Sequence, residues 1–450
     1  MQLASTSGRA PHVSFVDGLL NGLAPDGGLY LQTALPRFSL GQLQSWRGLA
    51  FDRLAVELAQ RLLAGEFAPT VIERLVADAL DFPVPTVQLE DRLFALELFH
   101  GPTLAFKDFG ARFLARLFGH VLAERGEHAT ILVATSGDTG SAVARGFAGV
   151  LRVRVVVLYP AGKVSPFQEA QMATIGGNVQ ALRVPGTFDD CQRLVKAAFL
   201  DPTLSAMRLS SANSINIGRL LPQSFYYVAS YLAIAGASDQ PVVFSVPSGN
   251  LGNLTAGVLA ARMGVPVARF IAATNLNDVL PEFLASGTYR ARPSVATLSN
   301  AMDVGDPSNF VRLLNLSAGS VDQLRQLVRG ERITERETRD AIRHAHGVSG
   351  IVLDPHGAVA YAAARRYLNS TSDAHPVIAL LTAHPAKFAD AIRDELGFEP
   401  PLPEHERDWR SRQLLATDLA DTRFETLRGW LATLRLKPAG VSQTPPADLR

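Results

Sequence analysis

Residues 129–150 of the chain read ATILVATSGDTGSAVARGFAGV. The first seven residues, ATILVAT, form a short apolar run with β-branched residues, which is typical of a buried strand. A turn of small and polar residues follows, and SAVARGFAGV then has the composition of a helix. The segment therefore predicts a strand, a tight turn and a helix in succession, the repeating unit of an α/β protein.

The same alternation continues along the chain. Helices are predicted for SPFQEAQMATIG (165–176), for a stretch that Thr187 can cap and for a segment that begins at Thr255. Between and beyond them lie further predicted strands: RVRVVVLY (152–159), NVQALRV (178–184), PVVFSVP (241–247), PVARFIAAT (266–274) and PVIALLT (376–382). Strands that alternate with helices in this way imply open, mostly parallel sheets with helices on both faces.

The two ends of the chain differ from this middle part. Leu54, Leu58 and Leu62 recur at helical spacing within residues 40–80. The tail after Pro400 is richer in charge and proline, and we expect one helix over about 414–434 and fraying after Pro438. A chain of 450 residues exceeds one ordinary core. We predict four parts: a mainly helical region (1–95), a small α/β domain (96–225), a large α/β domain (226–400), and a C-terminal helix and tail (401–450).

Composition excludes several classes of function. The chain is 47% hydrophobic, carries a formal net charge of +1 and has no basic block, which argues against nucleic acid or an anionic membrane as partner. No apolar run reaches the length of a membrane span, and the N-terminus lacks a signal-peptide core. The single cysteine, Cys191, excludes an internal disulfide, and no metal site is predicted. We expect a soluble, cytoplasmic protein that acts on a small molecule.

One lysine lies in an unusual setting. In FHGPTLAFKDFG (99–110), Lys107 follows Leu104, Ala105 and Phe106 and precedes Phe109. Its stem can lie along apolar surface with the ammonium group in water. Alternatively, the apolar neighbours withdraw the amine from water, so that it can form a Schiff base with a carbonyl compound.

Two glycine-rich turns join a strand to a helix, where α/β sheets bind ligands. In SVPSGNLGNLTAG (245–257), free backbone amides and the positive end of a helix dipole can bind a phosphate. The turn matches neither a Walker loop nor the dinucleotide fingerprint, so a cofactor with one phosphate fits better than ATP or NAD. ATSGDTGSA (134–142) offers similar amides, although an ordinary turn with Asp138 as helix N-cap explains the same residues.

Two further segments carry weaker signals. Thr382, in LLTAHPAKF (380–388), ends a predicted buried strand, so its hydroxyl would face the same crevice unless it only caps the next helix. SANSINIGRL (211–220) combines neutral donors with one guanidinium, a set that can hold a phosphate or a carboxylate. The alternative is a helix N-terminus capped by Asn213 or Ser214.

Taken together, these segments resemble the threonine synthases. The resemblance rests on FHGPTLAFKDFG, ATSGDTGSA, SANSINI, SVPSGNLGNLTAG and TAHPAKF, with LAPDGGLY (23–30) and LSNAMDVGDPSN (298–309), and it extends to about Pro403. It implies the pyridoxal-phosphate-dependent fold shared with tryptophan synthase β, with two open, mostly parallel sheets. It also implies conversion of O-phospho-L-homoserine and water to L-threonine and phosphate.

The resemblance also implies residue roles. Lys107 matches the catalytic lysine that carries pyridoxal 5′-phosphate, and Leu104, Phe106 and Phe109 would keep its amine dry. The other cofactor-binding residues that it implies are Gly249, Asn250, Leu251, Gly252, Asn253, Thr382 and Asp138. The substrate-binding residues that it implies are Thr135, Ser136, Gly137, Thr139, Asn213, Ser214 and Arg219.

Some alternatives stay open at this stage. A phosphohomoserine lyase or a serine/threonine dehydratase would need the same lysine and the same phosphate-binding turn. The set formed by Asn213, Ser214 and Arg219 favours a phosphorylated substrate over free serine. The sequence leaves the oligomeric state open between a monomer and a homodimer.

Overall fold

The computed structural model describes residues 1–235 and 239–434. The chain forms two compact units. The first unit contains residues 1–113 and 214–406, and the second contains residues 114–213 and the segment that begins at Arg407.

The strands of these described residues alternate with helices over most of the chain. They are β1 (Gln2–Ser5), β2 (Val13–Ser14), β3 (Tyr30–Gln32), β4 (Thr86–Glu90), β5 (Leu93–Glu97), β6 (Ala129–Ala134), β7 (Val153–Pro160), β8 (Val179–Val184), β9 (Leu209–Ser210), β10 (Val242–Pro247), β11 (Val267–Thr274), β12 (Val328–Arg332), β13 (Val377–Leu381) and β14 (Thr417–Asp418).

The α-helices range from one turn to five turns. They are α1 (Phe15–Asn21), α2 (Leu40–Ser45), α3 (Phe51–Leu62), α4 (Pro69–Ala79), α5 (Lys107–Arg125), α6 (Asp138–Phe147), α7 (Pro166–Ala173), α8 (Phe188–Leu200), α9 (Ile217–Leu220), α10 (Gln223–Ile234), α11 (Gly252–Arg262), α12 (Val279–Ser286), α13 (Phe310–Leu316), α14 (Val321–Leu327), α15 (Glu335–Ser349), α16 (Pro355–Ser370), α17 (Ala389–Leu396) and α18 (Phe424–Thr433).

The first unit is built around a six-stranded sheet in the order β12-β11-β10-β13-β5-β4. Its strands pair in parallel except β4, which is antiparallel to β5 at one edge. Helices α15 and α16 cover one face, with Ile342 and Val359 in the same buried cluster as Ala379. The two central strands, β10 and β13, are fully buried, which is usual for parallel strands because helices cover both faces of such sheets.

The second unit contains a five-stranded, fully parallel sheet in the order β14-β8-β7-β6-β9. Leu132, Val156 and Leu182 lie in its core together with Cys191, which is buried on α8 as expected. Thr187 caps α8, and its hydroxyl accepts the amide N–H of Asp190. The two open, mostly parallel sheets confirm the predicted fold class.

The six predicted strands are confirmed to within two residues at each end. Helices α2 to α4 confirm the helical pattern of residues 40–80, and Leu54, Leu58 and Leu62 are buried. The first thirty-two residues also form a small antiparallel sheet in the order β2-β1-β3, which the sequence pattern did not indicate.

The predicted helix over 414–434 is wrong in its first half. Only residues 424–433 are helical, because the preceding stretch is extended against neighbouring elements. The Leu415 amide donates to the Ala173 carbonyl, and Thr417–Asp418 pairs in parallel with β8. The expected fraying after Pro438 lies outside the described residues.

The compact units divide the chain differently from the four predicted parts. Strands β4 and β5 join the sheet of β10 to β13, so Lys107 falls in the same unit as the glycine turn at 245–257. As a functional division, the four parts stay a prediction. Within residues 1–235 and 239–434, no helix has both the length and the apolar character needed to span a membrane.

Candidate functional site

A short antiparallel pairing brings Lys107 close to Thr382. The Phe106 amide donates to the Thr382 carbonyl (2.9 Å), and the His384 amide donates to the Leu104 carbonyl (3.0 Å). These bonds flank a bridge between Ala105 and Ala383. Two predicted functional residues, far apart in the sequence, therefore lie at adjoining positions in the first unit.

Lys107 is the first residue of α5 and is half-buried. Its Nζ lies 5.1 Å from the centroid of the Phe106 ring. The Phe109 ring packs against Phe82 and Tyr226, at centroid distances of 4.9 and 5.2 Å. Phe106 is therefore the aromatic wall beside the amine, whereas Phe109 anchors the start of α5 in the core.

Asp108 fixes the loop that precedes α5. Its buried carboxylate accepts the Thr103 amide (2.8 Å) and the Thr103 hydroxyl (2.7 Å). Lys387 Nζ donates to the Thr103 carbonyl at 2.8 Å. Burial raises the pKa of Asp108, and the hydrogen bonds from Thr103 oppose that rise. Sequence analysis missed this residue, although a carboxylate beside the lysine in an apolar loop was a usable signal.

The glycine turn after β10 presents the N-terminus of α11. Leu251 precedes the helix in a left-handed conformation (φ 60°) and makes no side-chain cap. The first amides of an α-helix have no partner within it, and they carry the positive end of its dipole. The turn can therefore bind an anion through its main chain.

The side chains of this turn are used by the protein itself. Asn250 Nδ2 donates to Ser214 Oγ (2.6 Å), and Asn250 Oδ1 accepts the Ser308 amide (2.6 Å). Asn253 Nδ2 donates to the Pro247 carbonyl (2.8 Å), and Leu251 is buried. The geometry thus brings Ser214 to the glycine turn and leaves the backbone amides as the anion-binding groups.

A neighbouring segment sets the shape of the turn. A Cβ on Gly249 would lie 2.7 Å from Met302 Cα and 3.1 Å from the Ala301 carbonyl oxygen. The Ala301 amide donates to His356 Nε2 (3.1 Å), so the His356 ring carries its proton on Nδ1, which donates to Asp354 (2.6 Å). This buried pair holds the Ala301 segment against Gly249, and sequence analysis did not detect it.

Arg219 lies on α9 and is 4% exposed. Burial lowers its pKa to about 10, and the negative charge of Asp108 opposes that fall. A Cβ on Gly110 would lie 2.7 Å from the Arg219 carbonyl oxygen, so the backbones of α5 and α9 are in close contact. The suggested role of Arg219 in binding the substrate phosphate stays a prediction.

The helix caps that were the alternative interpretations of these segments are not formed. Asn216, rather than Asn213 or Ser214, caps α9, with its side chain accepting the Gly218 amide. His384, rather than Thr382, caps the 3-10 turn Pro385–Phe388. Gly137 occupies the N-cap of α6, where Asp138 was the alternative. Asn213 ends residues 114–213 of the second unit, and its side-chain oxygen is buried with no hydrogen-bond partner in the described structure.

The SGDTG turn belongs to the second unit. Thr135 Oγ1 accepts the amides of Gly137 (3.0 Å) and Gly140 (2.8 Å). Asp138 Oδ1 accepts a hydrogen bond from Gln168 Nε2 at 3.0 Å. Ser136 is exposed and Thr139 is half-buried at the start of α6. Thr135 therefore stabilises the turn through these two hydrogen bonds, and Ser136 is exposed at its surface.

Replacing Thr135 with valine is expected to lower the free energy of unfolding by about 1–3 kcal/mol, because two buried amides lose their acceptor. Urea unfolding of the purified variant measures this loss. Thr135→Ser keeps the hydroxyl and is the control, expected to stay within about 1 kcal/mol of wild type. An unchanged unfolding free energy in Thr135→Val would contradict the role assigned to the hydroxyl.

Comparisons with known proteins agree with this arrangement. Residues 80–383 match the family model described as pyridoxal-phosphate dependent enzyme. Residues 2–80 match the threonine synthase N terminus, and residues 357–429 match the threonine synthase C-terminal model.

Individual relatives give the same result over nearly the whole chain. A threonine synthase of Serratia marcescens is 44% identical over 90% of this chain and 93% of its own length. The structure of a pyridoxal-phosphate-bound threonine synthase from Brucella melitensis superposes with a TM-score of 0.92 at 40% identity, covering 96% of this chain and 99% of that one. The Escherichia coli threonine synthase structure gives a TM-score of 0.88 at 40% identity, covering 97% and 100%. The chain therefore belongs to the threonine synthase family of pyridoxal-phosphate-dependent enzymes.

Proposed function

We propose that this chain converts O-phospho-L-homoserine and water to L-threonine and phosphate, the last step of threonine biosynthesis. The observation that supports it most directly is the pairing that sets Lys107 beside Thr382, in the same unit as the glycine turn before α11. The substrate is inferred from the family to which the chain belongs. We also propose that the enzyme is cytoplasmic and acts on a small molecule, as a monomer or a homodimer.

The residues present fit pyridoxal 5′-phosphate. The cofactor has one phosphate, and the turn before α11 offers one helix N-terminus, whose first main-chain amides have no partner within the helix. Its aldehyde requires an amine, which Lys107 provides at the start of α5. Its pyridine nitrogen requires a polar neighbour, which we assign to the hydroxyl of Thr382. When bound, the cofactor supplies an electron sink for negative charge at the substrate Cα.

The reaction sets clear demands on the protein. The Cγ–O bond to phosphate breaks and a new C–O bond joins Cβ to the hydroxyl of water, whose second proton goes to the released phosphate, while one proton leaves Cβ and one is added at Cγ. A proton must also leave Cα and return to it. We assign the proton transfer at Cα to the Lys107 amine, with Phe106 limiting its access to water.

We assign the substrate-binding roles to residues of each unit in turn. In the first unit, Ser214 lies against the glycine turn through Asn250, and with Arg219 we assign it to the substrate phosphate. In the second unit, the SGDTG turn offers backbone amides and the exposed Ser136 hydroxyl, which we assign to the substrate carboxylate. Asn213 has a buried side-chain oxygen without a partner, which suits a ligand that donates a hydrogen bond.

Product analysis tests the proposal. The purified protein with added pyridoxal phosphate is incubated with O-phospho-L-homoserine, and inorganic phosphate, L-threonine and 2-oxobutanoate are quantified together. The expected result is one threonine for each phosphate. Phosphate with 2-oxobutanoate in place of threonine would identify a phospho-lyase instead. Release of no phosphate would contradict the assignment of Ser214 and Arg219 to the substrate phosphate.

A further inference from the structure

Arg312, on α13, is a fully buried arginine in the first unit. Its guanidinium donates to the carbonyl oxygens of Tyr30 (3.0 Å), Ser214 (3.2 Å) and Ile215 (2.6 Å). It also donates to the side-chain oxygen of Asn309 (2.9 Å). All four acceptors are neutral, so the charge is solvated by dipoles alone.

No carboxylate pairs with Arg312 in residues 1–235 and 239–434. Burial lowers its pKa to about 9, and no neighbouring negative charge opposes that effect. A buried ion without a counter-ion costs several kcal/mol in free energy, so such sites normally carry a function or bind an opposite charge. At neutral pH the group is still predominantly cationic.

The acceptors of Arg312 lead directly to the glycine turn. Asn309 Nδ2 donates to the Asn250 carbonyl (3.1 Å), and Asn250 Nδ2 donates to Ser214 Oγ (2.6 Å). A Cβ on Gly252 would lie 3.6 Å from Asn309 Nδ2 and 3.7 Å from Ser214 Cβ. The residues held by Arg312 therefore line the first turn of α11, where an anion would bind.

We propose that Arg312 is a positioning residue for a phosphate monoester: it fixes Ser214 and Asn309 beside the first turn of α11, and its buried charge is balanced by the phosphate. The inference rests on the proposed function only in that the turn binds a phosphate. The cofactor phosphate and the substrate phosphate share this chemistry, and the two arms of the experiment separate them.

The first arm compares two forms of one ligand. Apoenzyme is titrated spectroscopically with pyridoxal 5′-phosphate and with pyridoxal, which lacks the phosphate. Arg312→Met is expected to weaken binding of the phosphorylated form by about tenfold or more, while binding of pyridoxal stays within about twofold. A purely structural role would weaken both forms equally, and that result would overturn the proposal.

The second arm uses holoenzyme saturated with cofactor and measures inhibition by inorganic phosphate. If Arg312 serves the substrate phosphate, Arg312→Met raises the inhibition constant by about tenfold while the preference for phosphorylated cofactor persists. That result also supports the proposal and identifies the source. Unchanged behaviour in both arms would overturn it, and the first arm requires no turnover.

Two further variants complete the design. Arg312→Lys keeps the charge but has too few donors for four acceptors, so we expect a lower Tm with the phosphate preference kept within about threefold. Loss of that preference in Arg312→Lys would contradict the role of the charge, even if Arg312→Met fails to fold. Arg262→Met is the matched control, because exposed Arg262 donates to the Leu316 carbonyl at the end of α13. It should leave both arms unchanged.

Discussion

Replacing Lys107 with alanine is expected to reduce threonine formation by about 10⁴-fold or more, because under the proposed assignment the variant loses both the amine that carries the cofactor and the base at Cα. Folding should be preserved. Lys107 is the first residue of α5, where a positive charge opposes the helix dipole and alanine is a better helix former. The loss should therefore appear in activity and in the cofactor absorbance, with little change in Tm.

The control for this experiment is Lys196→Ala. Lys196 is exposed on α8, so its removal should change neither turnover nor cofactor absorbance. If Lys107→Ala kept more than about a tenth of wild-type turnover, the assignment of Lys107 would be wrong, since general-base and covalent contributions normally exceed that factor.

The second large effect is expected at Gly249. A Cβ at this position would lie 2.7 Å from Met302 Cα, a backbone contact that no side-chain rotation can relieve. Overpacking of this kind costs about 1–3 kcal/mol, and we expect the turn to move rather than the core. The affinity of the apoenzyme for pyridoxal phosphate should fall by about 10- to 100-fold in Gly249→Ala.

Gly347→Ala is the matched control for that change. Gly347 lies within α15, where an added Cβ would meet nothing within 4 Å. Its cofactor affinity should equal that of wild type, and its helix should be slightly more stable. Unchanged cofactor affinity in Gly249→Ala would contradict the close packing of the turn on the Ala301 segment.

The strands could be predicted because their signal is local. A buried parallel strand is a continuous apolar run, as in ATILVA at β6 and VVFSVP at β10, and a glycine turn marks where it ends. The same local pattern located the turn before α11. The predicted helix over 414–434 failed because the pairing of Thr417–Asp418 with β8 depends on a partner far away in the sequence.

The remaining site residues depend on long-range contacts. Nothing near Arg312 in the sequence indicates that Tyr30 and Ser214 will surround its guanidinium. The proximity of Lys107 and Thr382 likewise depends on the bridge between Ala105 and Ala383. Lys107, Thr382 and Ser214 were candidates from the sequence, whereas Arg312 and Tyr30 were not, and the tertiary pairing determines which of them meet.

We propose that Lys107 carries the cofactor, and reductive labelling of the holoenzyme tests this assignment. The chain contains five lysines: Lys107, Lys163, Lys196, Lys387 and Lys437. Holoenzyme is reduced with borohydride and digested, and the pyridoxyl mass is mapped to a peptide. Label on Lys107 alone is the predicted result. Label on Lys387, whose Nζ donates to the Thr103 carbonyl in the same loop, or on any other lysine would contradict the account.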